Sequence, residues 1–293
     1  MMPLRKTKGF LMFITFVAMV FFFGCQKTTE DTDKITVAVS IPPLKSVVEA
    51  IAKDHVQIVT LIPPGSSPES YEPSPGILSS LEDSLLYFSL GVPAEEANIK
   101  PKALQLNRDL TIINLHEEAA KSYPDLTVEG ERDPHVWLSI KRVKIMTDVI
   151  KERLIRIDPD HASDYRRNAE DFQKLLDETD ETIRETIEKL KSKEFIIYHP
   201  ALGYFADEYG LTMIAVEEHG KEASIKQLGD VVDYAKSKGI KTVFYQAEHD
   251  KKQAEIVASE IGGKTRMIDP LSSSFPQNLI DIADALLESE GSK

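Results

Sequence analysis

Four residues of the types that hold or activate a divalent metal each stand at a turn. Glu69 lies in the proline-rich stretch PPGSSPESYEPSP, His135 in DPHVW, His199 directly after the apolar run FIIY, and Asp269 at the close of RMIDP. Imidazole nitrogen with carboxylate oxygen suits borderline ions such as zinc, manganese or iron, and no thiolate is at hand for copper(I). Two neutral imidazoles and two carboxylates balance a 2+ charge, so such a set can be partly buried around an ion without net charge. Spacing alone does not single this set out, because a chain with 7 histidines offers others. Glu248 and His249, after the run TVFY, are further candidates to supplement or replace Glu69, and His219 and Glu222 occupy a loop that can face the same place. His55, His116 and His161 fall at polar helix ends or loops, where solvated side chains are expected. Trp137 and Tyr204 stand beside the candidate ligands, with core packing as the default expectation. There is no GxxxxGK[ST], no GxGxxG after a strand, no HExxH and no GxSxG, which removes the common local signatures of nucleotide binding, metalloproteolysis and serine hydrolysis.

The elements that must position these residues alternate between strand and helix. Ile35 to Val39 is β-branched, a Pro42-Pro43 break opens a helical face of Leu44, Val47, Val48 and Ile51, and Val56 to Ile62 reads again as strand. The same unit recurs from Phe195, with a helix through Leu202, Phe205 and Tyr209, a stop at Gly210, and strand Thr212 to Val216. Ser224 and Gln227 have capping-box spacing ahead of a helix ended by Gly239, and strand Thr242 to Tyr245 follows. Repeated strand, helix, strand units imply parallel sheets in two α/β halves, an N-terminal lobe over 35–157 and a C-terminal lobe over 193–293. Between them, over 158–192, Asp158 as N-cap and Pro159 at the first helical position open a run without Gly or Pro to about Lys191. An apolar stripe from Tyr165 to Leu190 at spacings of three and four predicts one helix that spans both lobes, with a coiled-coil dimer arm as the rival reading. All four candidate ligands then fall at or near strand ends, where open α/β sheets place ligands.

The 293 residues carry 35 basic and 48 acidic side chains, a formal charge of −13, which argues against nucleic acid as a partner. The chain has one cysteine, so neither an intramolecular disulfide nor a zinc finger is possible. Arg5, Lys6 and Lys8 precede an apolar run from Phe10 to Phe23 that ends at Gly24-Cys25. This is the layout of a secretory signal over 1–24, and as a helix the run would reach only about 21 Å, short of a bilayer core of about 30 Å. The position of Cys25 resembles the cleavage and lipidation site of bacterial lipoproteins, with Phe22 and Phe23 where such sites usually carry other residues. An acylated Cys25 followed by a polar tether over 25–34 would leave an exported domain of charge −16, since the signal removes three basic residues and no acidic one.

Five segments in order, ITVAVSIPPL, PPGSSPESYEPSP, DPHVWLS, YHPALGYFADEYGL and IGGKTRMIDPL, resemble the zinc- and manganese-binding lipoproteins that serve as substrate-binding components of bacterial ABC importers. The resemblance runs from about Ile35 to the C-terminus. It implies two lobes, each a parallel sheet flanked by helices, joined by one long backbone helix, and it maps family ligands onto His135, His199 and Asp269. At the first ligand position the family pattern Gly-x-x-Pro-His-x-Tyr-Glu-Pro meets Gly65-Ser-Ser-Pro-Glu69-Ser-Tyr-Glu-Pro73, so Glu69 replaces a histidine. Glutamate can ligate zinc or manganese, so the set becomes Glu69, His135, His199 and Asp269.

The expectation is therefore a monomeric, lipid-anchored extracytoplasmic protein. It would capture a divalent ion, zinc first and manganese or iron as alternatives, and pass it to a membrane permease without catalysis. Two rival readings are a zinc metallohydrolase with Glu69 as general base on bound water, and a carrier of an organic ligand such as a siderophore or corrinoid.

Overall fold

A computed structural model of the chain describes residues 34–128, 130–217, 223–249 and 251–290. The signal segment, Cys25, the tether up to residue 33, His219 and Glu222 lie outside the described residues. No helix among the described residues is long and apolar enough to cross a membrane.

The N-terminal sheet contains β1 (Ile35–Val39), β2 (Val56–Thr60), β3 (Ser84–Ser89) and β4 (Thr111–Asn114), all parallel, in the order β2-β1-β3-β4. After a short hairpin of β5 (Thr127–Val128) and β6 (Glu131–Arg132), the C-terminal sheet follows. It contains β7 (Glu194–Ile197), β8 (Thr212–Ala215), β9 (Thr242–Gln246) and β10 (Lys264–Ile268), again parallel, in the order β10-β9-β7-β8. Both sheets thus share one topology, in which the chain starts on an inner strand, steps outward once, then returns to the other side. The point where direction reverses lies between β1 and β3 in one sheet and between β7 and β9 in the other. Carboxyl ends flanking such a reversal are splayed by their diverging loops, which leaves a crevice for ligands. Strands covered on both faces have no polar side, which is why ITVAV and FII read as continuous apolar runs.

Helix α1 (Pro42–Ala52) buries the predicted face of Leu44, Val47, Val48 and Ile51. Ser139 caps α2 (Ile140–Ile157) by accepting from the Arg142 N–H. The long helix α3 (Ala162–Glu188) follows, about 40 Å at 1.5 Å per residue. Its start differs from the sequence expectation. The Asp158 side chain does not cap the helix; it accepts from Tyr165 Oη at 2.5 Å and pairs with His161 Nδ1 at 2.7 Å, and one 3-10 turn, Pro159–His161, comes between. Competition from these two partners for one carboxylate explains the shift. The buried stripe is Tyr165, Ala169, Phe172, Leu176, Thr179, Ile183 and Ile187, with Leu175 turned to solvent. It packs on α1, α2 and the last helix, α4 (Gln277–Glu290), so its apolar face is used within the chain rather than in a dimer arm.

One hydrophobic core runs through both lobes, joining Val37, Phe88 and Trp137 to Leu202, Tyr204, Phe244 and Leu279. A second, smaller core fills the other face of the C-terminal sheet around Ile196, Val243 and Val257. Polar ties reinforce the junction: Trp137 Nε1 donates to Pro270 O at 2.9 Å, and Glu208 accepts from Ser139 Oγ and from the Lys141 N–H. A core shared across the lobes resists wide hinge opening, since separation would expose packed apolar surface at about 25 cal/mol per Å².

Candidate metal centre

Glu69 is delivered by the loop after β2. Its own N–H donates to Ser67 Oγ at 3.2 Å, and the preceding carbonyl, Pro68 O, accepts from Ala94 N at 2.9 Å, which fixes the loop against the segment that leaves β3. His135 stands just after β6. Asp133 Oδ1 accepts both the His135 N–H at 2.9 Å and His135 Nδ1 at 2.7 Å, so one buried carboxylate sets backbone and ring together. The next residues, Val136–Leu138, form a buried 3-10 turn held across the cleft by the Trp137 to Pro270 bond. His199 comes two residues past β7, where Tyr198 N still donates to Phe244 O and Glu217 N to Tyr198 O. This places Glu217, just beyond β8, beside the imidazole, and Glu217 Oε2 lies 2.9 Å from His199 Nδ1.

With each Nδ1 bound to a buried carboxylate, both rings turn Nε2 inward. His135 Nε2 and His199 Nε2 are 3.3 Å apart, and Glu69 Oε1 lies 3.6 Å from the first and 2.6 Å from the second. Ligand atoms about 2.0–2.1 Å from a tetrahedral zinc ion stand roughly 3.3 Å from one another, so the two nitrogens already have the spacing of one edge. The carboxylate-histidine pairing fixes tautomer and ring orientation and raises the basicity of the inward nitrogen, as it does in metal sites generally. Without a metal the same pairing attracts protons. Burial alone would lower the His199 imidazolium, but the bonds and charges of Glu217 and Glu69 push it up to about 9. Burial opposes His135 too, yet Asp133 and Glu69 hold it above its ordinary value. Glu69 is disfavoured by burial but is kept well below the usual carboxylate range by hydrogen bonds from the two imidazoles.

His249, just past β9, lies stacked on His199 with ring centroids 4.2 Å apart and planes at 16°. Glu69, His199 and His249 each present a ligand atom within 4.8 Å of the others. Glu248 lines the same pocket, and burial with the nearby Asp269 charge raises its carboxyl. Asp269, the fourth expected ligand, makes no hydrogen bond or ion pair to Glu69, His135 or His199 among the described residues, although its charge reaches Glu248. It is exposed, its Oδ1 accepts from Leu271 N at 3.0 Å and its carbonyl accepts from Asn278 Nδ2 at 2.7 Å. Sequence reasoning missed Asp133 and Glu217. Asp133 was visible as a turn carboxylate two residues before a histidine, whereas Glu217 becomes a partner of His199 only through the pairing of β7 with β8. It also placed His116 in solvent, whereas the ring is mostly covered and packs against Gly91 and Arg132.

The space between the ligands, about 20 Å³, holds a single water-sized sphere, and outward it meets a wider cleft of about 530 Å³. An ion fits at the centre. Glu69 Oε1 contacts His199 Nε2 directly and stands 3.6 Å from His135 Nε2, rather than a water's distance behind both, which suits a ligand better than a general base.

The model of the family described as zinc-uptake complex component A, periplasmic (ZnuA) matches residues 37–289. The high-affinity zinc uptake system protein ZnuA of Bacillus subtilis is 29% identical over 82% of this chain and 79% of its own length. The manganese-binding lipoprotein MntA of Halalkalibacterium halodurans is 26% identical over 85% of each. The zinc-binding lipoprotein AdcA of Streptococcus pneumoniae is 25% identical, and this chain spans about half (53%) of it. A crystal structure of ZnuA superimposes with a TM-score of 0.83 at 30% identity, covering 87% of this chain and 99% of that one. With the family model spanning both lobes and the long helix between them, the chain belongs to the zinc-uptake complex component A family, solute-binding proteins of metal transporters rather than enzymes.

Proposed function

We propose that the protein captures a zinc ion outside the cytoplasm between its two lobes and presents it to the permease of an ABC importer. The observation that carries this reading is the convergence of His135 Nε2, His199 Nε2 and Glu69 Oε1, each imidazole backed by its own buried carboxylate. Zinc takes mixed nitrogen and oxygen ligands in tetrahedral sites, whereas manganese favours carboxylate, carbonyl and water oxygens. Manganese is the second reading, favoured by the MntA likeness and by the carboxylate at the position of the first ligand. Saturating the ion with protein ligands leaves no open position for a reacting substrate, in keeping with carriage rather than hydrolysis. The continuous core supports small lobe adjustments and loop ordering on capture and release. Cys25 would carry the lipid that holds the protein, as a monomer, at the membrane face.

Elemental analysis of protein purified without chelator, followed by calorimetric competition between zinc and manganese, tests the assignment. The expected result is one zinc per chain, steep loss of zinc affinity in His135→Ala and in His199→Ala, and a smaller loss in Glu69→Ala. Unchanged zinc and manganese affinity in the double histidine variant would remove the site. A mature N-terminal peptide whose mass lacks acyl chains would remove the anchor.

A further inference from the structure

Resting on the metal site proposed above, we propose that Gln246 is a positioning residue whose side-chain amide, once the ion is bound, donates to the oxygen of Glu69 that is not on the metal. Gln246 closes β9, and its place in the sheet fixes where the amide goes. Phe244 on the same strand and Ile268, the register partner of Gln246 on β10, belong to the core shared by the lobes, whereas Val243 and Tyr245 pack in the second core. Side chains alternate along a strand, so Gln246 faces the other lobe together with Phe244. It is 2% exposed and lines the cavity of about 20 Å³ that Glu69, His135 and His199 also line. Among the described residues around that cavity, Gln246 Nε2 is the one buried side-chain polar atom with no hydrogen-bond partner.

A buried amide donor without a partner is costly, and an apolar side chain of similar length would fill the same place without that penalty. The penalty disappears when an acceptor arrives. An amide N–H cannot ligate a cation, so the group serves a ligand rather than the ion. Each imidazole already has its own carboxylate, Asp133 for His135 and Glu217 for His199. The Glu69 side chain makes no bond beyond the two imidazoles among the described residues, and both are met by Oε1. A carboxylate that ligates through one oxygen leaves the other to be hydrogen-bonded. Gln246 comes from the C-terminal lobe and Glu69 from the N-terminal lobe, so this bond would form across the cleft as the ion is captured. Its chemical consequence is denticity. A donor on the free oxygen keeps Glu69 to a single bond with the metal, which suits four-coordinate zinc, whereas a carboxylate free to bind through both oxygens raises the coordination number toward that of manganese.

The test uses Zn²⁺, Co²⁺ and Mn²⁺ alone with the full-length chain. Gln246→Met keeps the length of the side chain and removes the donor. Zinc affinity by chelator competition is expected to fall about 10- to 100-fold, the range for loss of an orienting partner, with a smaller change for manganese. The metal-free melting temperature should hold or rise, because an unpaired donor has gone. The Co²⁺-loaded wild type should show the intense visible bands of a four-coordinate site, weakened in Gln246→Met. In the Glu69→His background, which has no carboxylate oxygen at that position, Gln246→Met should leave zinc affinity unchanged. In the wild type, which needs no variant to fold, the Gln246 side-chain amide protons should shift downfield on zinc loading. Wild-type zinc affinity in Gln246→Met, unmoved amide resonances, or a loss that persists in full in Glu69→His overturns the assignment. A fall in metal-free melting temperature with equal loss of affinity for all three ions would reveal a packing role and overturns it too. The parent reading fails separately: His135→Ala and His199→Ala would then leave zinc affinity unchanged.

Discussion

A methyl group on Gly203 would overlap the Asp133 carboxylate, with Asp133 Oδ2 inside van der Waals contact and Cγ at 3.6 Å. Gly203 opens the short helix Gly203–Tyr209 of the C-terminal lobe, and Asp133 is the carboxylate that orients His135 in the N-terminal lobe. The missing side chain therefore lets the support of one ligand sit against the other lobe. Its φ is not in the left-handed region, and alanine is intrinsically favoured over glycine in a helix by about 1 kcal/mol, so steric displacement of Asp133 is the cost to look for. Gly203→Ala should weaken zinc binding about 10- to 100-fold, the range for loss of an orienting partner, with little loss of metal-free melting temperature. A variant that melts higher and binds zinc as well as wild type would show that Asp133 moves freely.

Glu217 makes the corresponding prediction on the other side of the cleft. Glu217→Gln keeps shape and hydrogen bonding but removes the charge that holds the His199 proton, so the His199 pKa, followed by NMR in the metal-free protein, should fall from about 9 toward 6.5. Zinc affinity should drop about 10- to 100-fold as ring orientation and basicity are lost. A pKa that stays near 9 would assign the shift to Glu69 alone.

Much of this architecture was legible in the residues. Apolar runs such as ITVAV and FIIY mark strands buried on both faces, the capping box at Ser224 and Gln227 forms as its spacing predicts, and the stripe from Tyr165 to Ile187 gives the long helix. Glu69, His135 and His199, three of the four expected ligands, lie close together, Glu69 after β2 of one sheet, His199 after β7 of the other and His135 after the hairpin strand β6. What was not legible depends on pairing between segments far apart in sequence. Glu217 meets His199 across 18 residues only because β7 and β8 are neighbours, and His249 stacks on His199 only because β9 is next to β7. The long helix starts late for a local reason of the same kind, since Asp158 meets Tyr165 and His161 instead of the helix N–H groups.

The pH dependence of stability and of zinc binding should run in opposite directions above neutrality. In the metal-free protein His199 has its pKa raised from an ordinary 6.5 to about 9, so its contribution to stability is complete below about 6.5 and is lost as pH rises through 9. Glu69, depressed below its ordinary 4.5, contributes above 4.5 and loses that contribution as pH falls toward its lowered value. Site-derived stability of the metal-free form is therefore greatest between about 4.5 and 6.5. Zinc must displace the imidazole proton, so its affinity should rise about tenfold per pH unit for each proton released between roughly pH 6 and pH 8. Calorimetry in two buffers of different ionisation enthalpy should report at least one proton released per zinc near pH 7; none released would contradict the proton-held site.

Removing the metal should cost the fold a calculable amount. A ligand present at about 1,000 times its dissociation constant stabilises the state that binds it by about 4 kcal/mol, and for a chain of this size each kcal/mol moves the melting temperature by about 2–4 °C. Zinc at that excess should therefore raise the melting temperature by roughly 8–16 °C over the chelated protein. Manganese at the same free concentration should raise it by less, because His135 and His199 offer nitrogen where manganese prefers oxygen. Equal shifts from the two ions would mean that the site does not discriminate between them, and the nitrogen-based preference for zinc would fall.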